Sequence, residues 1–185
     1  MKKIITLAMM MMVMTITANA TRHLDINHPR SARISYNIAK NEALFLSDKM
    51  AYELGLTDAQ YEAVYEINLD YLMSVNDRRD VYGSWWKRRN ANLKYVLTAY
   101  QYEMYAKKAY LYRPLAWKGD GWTYNIYNHY ANKSHFYKSA PKSFASYKGG
   151  KHKDYRTTWR NTSNNNHHVA QHTKGNKKGR PEGRR

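Results

Sequence analysis

The chain reads as all-α: a small helical hairpin or bundle of about four helices, followed by a long disordered basic C-terminal tail. Three observations predict this. Apolar residues between 41 and 117 recur at three- and four-residue steps, the period of a helix with one buried face. A helix-start phrase occurs twice, as Leu56-Thr57-Asp58-Ala59-Gln60-Tyr61-Glu62 and, 41 residues later, as Leu97-Thr98-Ala99-Tyr100-Gln101-Tyr102-Glu103. Composition then shifts near Trp117, from nearly charge-balanced and apolar to basic and rich in Asn, Gly, Ser and His.

Residues 1–20 read as a signal peptide. Lys2 and Lys3 precede an apolar run from Ile4 to Thr17, and Ala18-Asn19-Ala20 supplies small residues for cleavage. The run is short for a bilayer span, and no later stretch is long and apolar enough, so no transmembrane span is expected after cleavage. The mature chain is expected to be periplasmic or secreted. It has no cysteine, so disulfides and a cysteine-linked lipid anchor are excluded and the fold rests on packing. Residues 21–40 show no sustained period and read as an N-terminal arm.

The helical domain is expected over 41–117. A short first helix carries Leu46, Met50 and Leu54, with Ser47 as its cap and Gly55 as its stop. A second, from Asp58 to Val75, begins at the first phrase. Thr57 is placed to accept from the backbone N–H three residues on, and Gln60 to reach back to the cap: a capping box, with Leu56 and Tyr61 as its hydrophobic staple. Asp58, Glu62 and Glu66 sit where the helix dipole favours them. Residues 76–80 read as a polar turn or an exposed continuation. A third helix spans 84–96, with Trp86, Leu93 and Val96 inward and Lys87-Arg88-Arg89 outward. Thr98 and Gln101 repeat the box, Leu97 and Tyr102 repeat the staple, and a fourth helix runs from 99 to 112 until Pro114 stops it. No segment reads as a strand.

Residues 118–185 carry fifteen Lys or Arg against Asp120, Asp154 and Glu182, which accounts for most of the overall charge of +17. Their aromatics stand singly among polar residues, and 161–185 hold only Val169 and Ala170 as aliphatics. Such a segment buries too little apolar surface to offset its ordering entropy, so about 140–185 are expected to be disordered.

The chemistry points away from catalysis. There is no cysteine nucleophile, no glycine-rich phosphate loop, and no recognisable Ser, His and Asp arrangement, so neither an enzyme nor a cofactor is expected. Glu53, Glu62, Glu66, Asp70 and Glu103 read as solvated carboxylates on helix surfaces. His167, His168 and His172 are the weak candidates for a metal, set in a lysine-rich tail. Aromatics alternating with Lys and Arg suit anionic, partly apolar partners.

A doubled Leu-Thr-x-x-Gln phrase on a small, exported, cysteine-free helical chain resembles the LTxxQ-motif (Spy/CpxP-like) periplasmic stress protein family. Residues 56–60 and 97–101 match the motif in full, and the resemblance covers roughly 46–113. It implies an all-α hairpin that pairs into a cradle-shaped homodimer and holds unfolded or misfolded envelope proteins without ATP. The residues expected to meet clients or anions are Trp85, Lys87, Arg88, Arg89, Lys94, Lys107, Lys108 and Arg113, with Trp85 the aromatic most expected outside the core. The alternative is a polycationic protein whose C-terminal tail binds anionic surfaces or polymers: lipopolysaccharide, acidic lipid, or nucleic acid without sequence preference. No specific nucleic acid is expected.

Overall fold

The computed structural model describes residues 33–119 and 121–159. The expected leader, most of the expected arm, and His167, His168 and His172 lie outside them. The described chain is mostly helical: α1 (Tyr36–Leu54), α2 (Asp58–Ser74), a 3-10 turn (Arg78–Tyr82), α3 (Ser84–Val96), α4 (Ala99–Lys107), α5 (Ala109–Tyr112), strands β1 (Leu115–Lys118) and β2 (Gly121–Tyr124), a 3-10 turn (Asn125–Asn128) and α6 (Ser143–Ser146).

α1 and α2 form a hairpin. Gly55 closes α1 in the left-handed region at φ 61°, and the Gly55 and Leu56 amides both bond to the Ala51 carbonyl, so the stop expected from the sequence forms. Ser47 is not a cap. α1 begins eleven residues earlier, taking in the last residues of the expected arm, and the Ser47 hydroxyl lies buried mid-helix, accepting from Asn68 at 2.8 Å. Both capping boxes form in full. Thr57 Oγ1 accepts from Gln60 N–H at 3.2 Å while Gln60 Oε1 accepts from Thr57 N–H at 3.1 Å, and Thr98 and Gln101 repeat this at 3.2 and 3.0 Å.

The two boxes also hold each other. Gln60 Nε2 donates to Gln101 Oε1 at 2.7 Å and to the Val96 carbonyl at 3.0 Å, where α3 ends. Gln101 Nε2 donates to the Leu54 carbonyl at 3.2 Å, where α1 ends. Each glutamine therefore starts one helix and satisfies an orphan carbonyl at the end of another.

The expected fourth helix is broken. Lys108 leaves the helical region at φ −98°, ψ 96°, and α5 restarts after it. Beyond Pro114 a two-stranded antiparallel hairpin pairs Leu115 with Tyr124 and Trp117 with Trp122. The expected change of domain at Trp117 falls inside β1. Leu115 is fully buried and belongs to one core cluster with Tyr65, Leu72 and Tyr147; Ile126 and Tyr155 belong to the other, around Met50, Val64 and Leu93. Residues 121–159 are thus part of the packed body. The rest of the expected disordered tail, 160–185, lies outside the described residues.

Candidate functional site

Residues 124–159 form a strap laid over the outer side of α1 and α2. α2 presents Asp58, Glu62, Glu66 and Asp70 at four-residue steps, one stripe on a helix. Each takes hold of the strap. Lys138 Nζ lies 3.2 Å from Asp58; the Ser143 amide donates to Glu62 at 2.8 Å and the Lys142 amide also bonds there. Asp70 accepts from the Tyr147 hydroxyl at 2.8 Å and from the Gly150 and His152 amides at 2.7 and 2.9 Å. The chain doubles back at Gly149 and Gly150, both left-handed, and a Cβ on Gly149 would collide with Met73 Sδ. Lys153 and the Tyr155 hydroxyl then reach Glu66 at 2.6 and 2.7 Å.

α1 adds three anchors. Glu42 accepts from the Tyr127 hydroxyl at 2.6 Å, and Glu53 from the Tyr130 and Tyr110 hydroxyls at 2.7 and 2.8 Å with Lys108 at 2.6 Å. Asp48 accepts from the Tyr137 and Lys138 amides at 3.0 and 2.8 Å. The adjacent Lys49 is fully buried, 2.8 Å from Asp48, with its ammonium 4.4 Å from the Phe45 ring and 4.6 Å from the Tyr137 ring. A buried ion pair is tolerable because both partners keep their hydrogen bonds, Lys49 through the His135 carbonyl as well.

Electrostatics follow the geometry. Burial, then the carboxylate partner, pushes the phenols of Tyr127, Tyr130, Tyr147 and Tyr155 well up, so they remain donors at neutral pH. Burial works to raise Glu53 and Glu62, but hydrogen bonds from Lys108, Tyr130 and Tyr110 in one case, and from Ser143 and Lys142 in the other, outweigh it and hold both below the ordinary value. At Glu42 burial wins over the Tyr127 bond and Lys133, and the carboxyl is raised.

The structure divides the expected binding residues. Lys87, Lys94, Lys107 and Arg113 are exposed; Lys107 pairs with Glu103 at 2.6 Å, and the Arg113 guanidinium lies 5.2 Å from the Tyr82 ring. Arg88 is exposed but donates to the His152 carbonyl at 2.6 Å, and Lys108 is spent on Glu53. Trp85 is half-buried and stacks on the His152 ring at 4.7 Å, so it belongs to the strap contact and not to a free surface.

Arg89 is the clear departure. It is 2% exposed and donates to Asn68 Oδ1 at 2.7 Å, the Tyr105 hydroxyl at 2.6 Å and the Leu111 carbonyl at 3.1 Å. Tyr105 passes the bond on to Asn90 at 2.5 Å. Arg89 therefore ties α3 to α2, α4 and α5 and is unavailable to a partner. The carboxylates Glu53, Glu62, Glu66 and Asp70 are likewise strap anchors and not solvated surface groups; Glu103 is exposed as expected.

Ser74, His152 and Asp70 come together in the order of a nucleophile, a base and its orienting acid. Ser74 Oγ is 3.5 Å from His152 Nε2, and Nδ1 is 3.8 Å from Asp70 Oδ2, beyond a hydrogen bond. Ser74 Oγ donates instead to the Asp70 carbonyl at 2.6 Å, and the adjoining cavity of about 10 Å³ has room for one water at most. The trio fastens the strap. An open cleft of about 360 Å³ lies between the start of α2 and residues 138–142; of its charged side chains Asp58 and Lys138 pair with each other, Glu62 accepts the Lys142 and Ser143 amides, and Lys142 is exposed. Among the described residues no group of three His, Cys, Asp or Glu could hold a metal ion, and no helix is long and apolar enough to cross a membrane. No family model, no curated protein and no solved structure matches this chain.

Proposed function

We propose that the protein is an exported, ATP-independent chaperone or envelope-stress protein that holds unfolded or aggregation-prone chains on its α3–α4 surface. The observation that carries this reading is the make-up of that surface. Lys87, Lys94 and Lys107 stand exposed on the same two helices as Tyr95 and Tyr100, the latter 72% exposed. Aromatic rings among cations offer adaptable apolar contact together with charge steering. The doubled Leu-Thr-x-x-Gln phrase, with both boxes formed, supports kinship with the LTxxQ-motif family. The strap takes up the α1–α2 side and meets α3 at Trp85 and Arg88, which leaves the rest of α3 and α4 for clients.

The test uses the mature chain, residues 21–185, and a reduced model client followed by light scattering without nucleotide. Suppression of aggregation is expected, with most of it lost in Lys87→Glu/Lys94→Glu/Tyr100→Ser. No suppression at equimolar ratio or above refutes the proposal.

A second reading is favoured by the outward side of the strap, where Lys133, Lys142, Lys148, Lys151 and Arg156 are exposed. On this reading the protein binds an anionic envelope surface such as lipopolysaccharide or acidic lipid, each cation near the surface contributing about 1 kcal/mol. Binding to anionic vesicles would fall steeply with salt and weaken in Lys142→Glu/Lys148→Glu/Lys151→Glu; salt-independent binding refutes it. Deleting residues 118–185 is not a clean test, because Ile126, Tyr147 and Tyr155 are core residues.

A further inference from the structure

Tyr52 of α1 and Tyr137 of the strap stack face to face, with ring centroids 3.7 Å apart and planes 5° from parallel. The arrangement is unusual, because ring quadrupoles disfavour a close sandwich relative to offset or edge-on contact. Other tyrosine pairs in the described chain obey that preference: Tyr105 and Tyr112 meet at 67°, Tyr110 and Tyr130 at 78°. The sandwich is imposed by its surroundings. Asp48, one turn before Tyr52 on α1, holds the Tyr137 and Lys138 amides. Phe136 packs edge-on against Phe45, and the buried Lys49 ammonium lies 4.6 Å from the Tyr137 ring. Both tyrosines nevertheless face solvent, at 57% and 40% exposure.

The geometry points to Tyr52 and Tyr137 as an oxidative cross-linking site, at which a dityrosine bond fastens the strap to α1. Rings this close and this parallel lay ring carbons of one over ring carbons of the other, so radicals formed on both start with centroids 3.7 Å apart; the new bond draws two carbons together, and the solvent-facing rings swing about it as the biaryl forms. A haem peroxidase with hydrogen peroxide, or another one-electron oxidant, removes one electron and one proton from each phenol. The two phenoxyl radicals join through the carbons ortho to their hydroxyls, and each ring restores its aromaticity by moving the ortho hydrogen to oxygen. The two electrons and two protons reduce one peroxide to two waters. A chain without cysteine has no disulfide available. This bond would fill the same role, closing residues 52–137 into a loop and restricting the unfolded chain.

The test exposes the full mature chain, dilute enough to be monomeric, to a haem peroxidase and hydrogen peroxide. The monomer is expected to gain dityrosine fluorescence and to lose the mass of two hydrogens, which separates the product from methionine sulfoxide, a gain of oxygen. Trypsin should then release fragment 50–78 joined to fragment 134–138, whose sole tyrosine is Tyr137, and fragmentation should place the other end at Tyr52. Tyr52→Phe and Tyr137→Phe keep the rings and the fold, which circular dichroism checks, and each should abolish the joined fragment. Tyr100→Phe should leave it. The cross-linked monomer should unfold at a higher urea midpoint than the untreated chain. Dityrosine confined to covalent dimers, a joined fragment that survives Tyr52→Phe, or a monomer that acquires none of it overturns the proposal.

Discussion

Asp70→Ala removes the anchor on which the strap turns back. In the intact chain the carboxylate collects three donors, the Tyr147 hydroxyl and the Gly150 and His152 amides, all within 2.9 Å. Hydrogen bonds to a charged group contribute about 1.5–3 kcal/mol each. Their simple sum overstates the loss, since the contacts form one network and water can reach the part-buried amides once the carboxylate is gone. The expected cost is about 3–5 kcal/mol, a large fraction of the stability of a domain this size. Asp70→Asn keeps the volume and one acceptor but loses the charge, and should cost about 2 kcal/mol. Urea unfolding followed by circular dichroism gives the energies, and limited trypsin digestion reports on the strap through Lys148, Lys151 and Lys153. Tyr147→Phe combined with Asp70→Ala should cost less than the two separately, because they share a bond. An Asp70→Ala chain within about 1 kcal/mol of the parent, with those three lysines still protected, would refute the reasoning.

Arg89→Ala should destabilise by about 3–5 kcal/mol in urea melts, because it opens a cavity and strands Asn68 and Tyr105, while Arg89→Met should cost less by keeping the volume. Thr57→Ala and Thr98→Ala should each cost about 1 kcal/mol by thermal or urea unfolding. A double-mutant cycle on Gln60→Ala and Gln101→Ala should return a coupling of at least about 0.5 kcal/mol, since their amides bond directly. Acid should loosen the fold. Glu53 and Glu62 sit below their ordinary value of 4.5 in the folded chain, so the stability they contribute is present above it and is lost as pH falls through their folded values. Glu42, raised, works the other way but alone. The urea midpoint should therefore hold near neutrality and drop below about pH 4.5; a midpoint that is flat or rising in acid contradicts this.

Most local signals in the sequence are faithful, although Ser47 is not a cap and the fourth helix breaks at Lys108. The two Leu-Thr-x-x-Gln phrases mark helix starts, Gly55 marks a stop, and the bounds of α2 and α3 fall within a residue of expectation, because caps and periodicity are written in neighbouring residues. The larger failures depend on distant partners. Glu62 and Asp70 read as solvated because their partners lie about 80 residues downstream. The strap tyrosines read as disordered because their rings pack one at a time and their hydroxyls seek carboxylates, a pattern with neither helical nor strand period. Arg89 follows Lys87 and Arg88 and reads as outward on charge alone, yet it lies three residues after Trp86, four before Leu93 and seven before Val96, on the face that turns in. The four-residue spacing of Asp58, Glu62, Glu66 and Asp70, set against a tyrosine- and lysine-rich segment, was the signal that could have found the strap.

The central claim is that residues 124–159 are a folded strap held by the carboxylates of α1 and α2, and amide hydrogen exchange tests it most directly. The amides of Tyr137, Lys138, Ser143, Gly150 and His152, each bonded to Asp48, Glu62 or Asp70, are predicted to exchange far more slowly than in an unstructured peptide. Exchange of these five at unstructured rates, with the α1 and α2 amides still protected, would contradict the account.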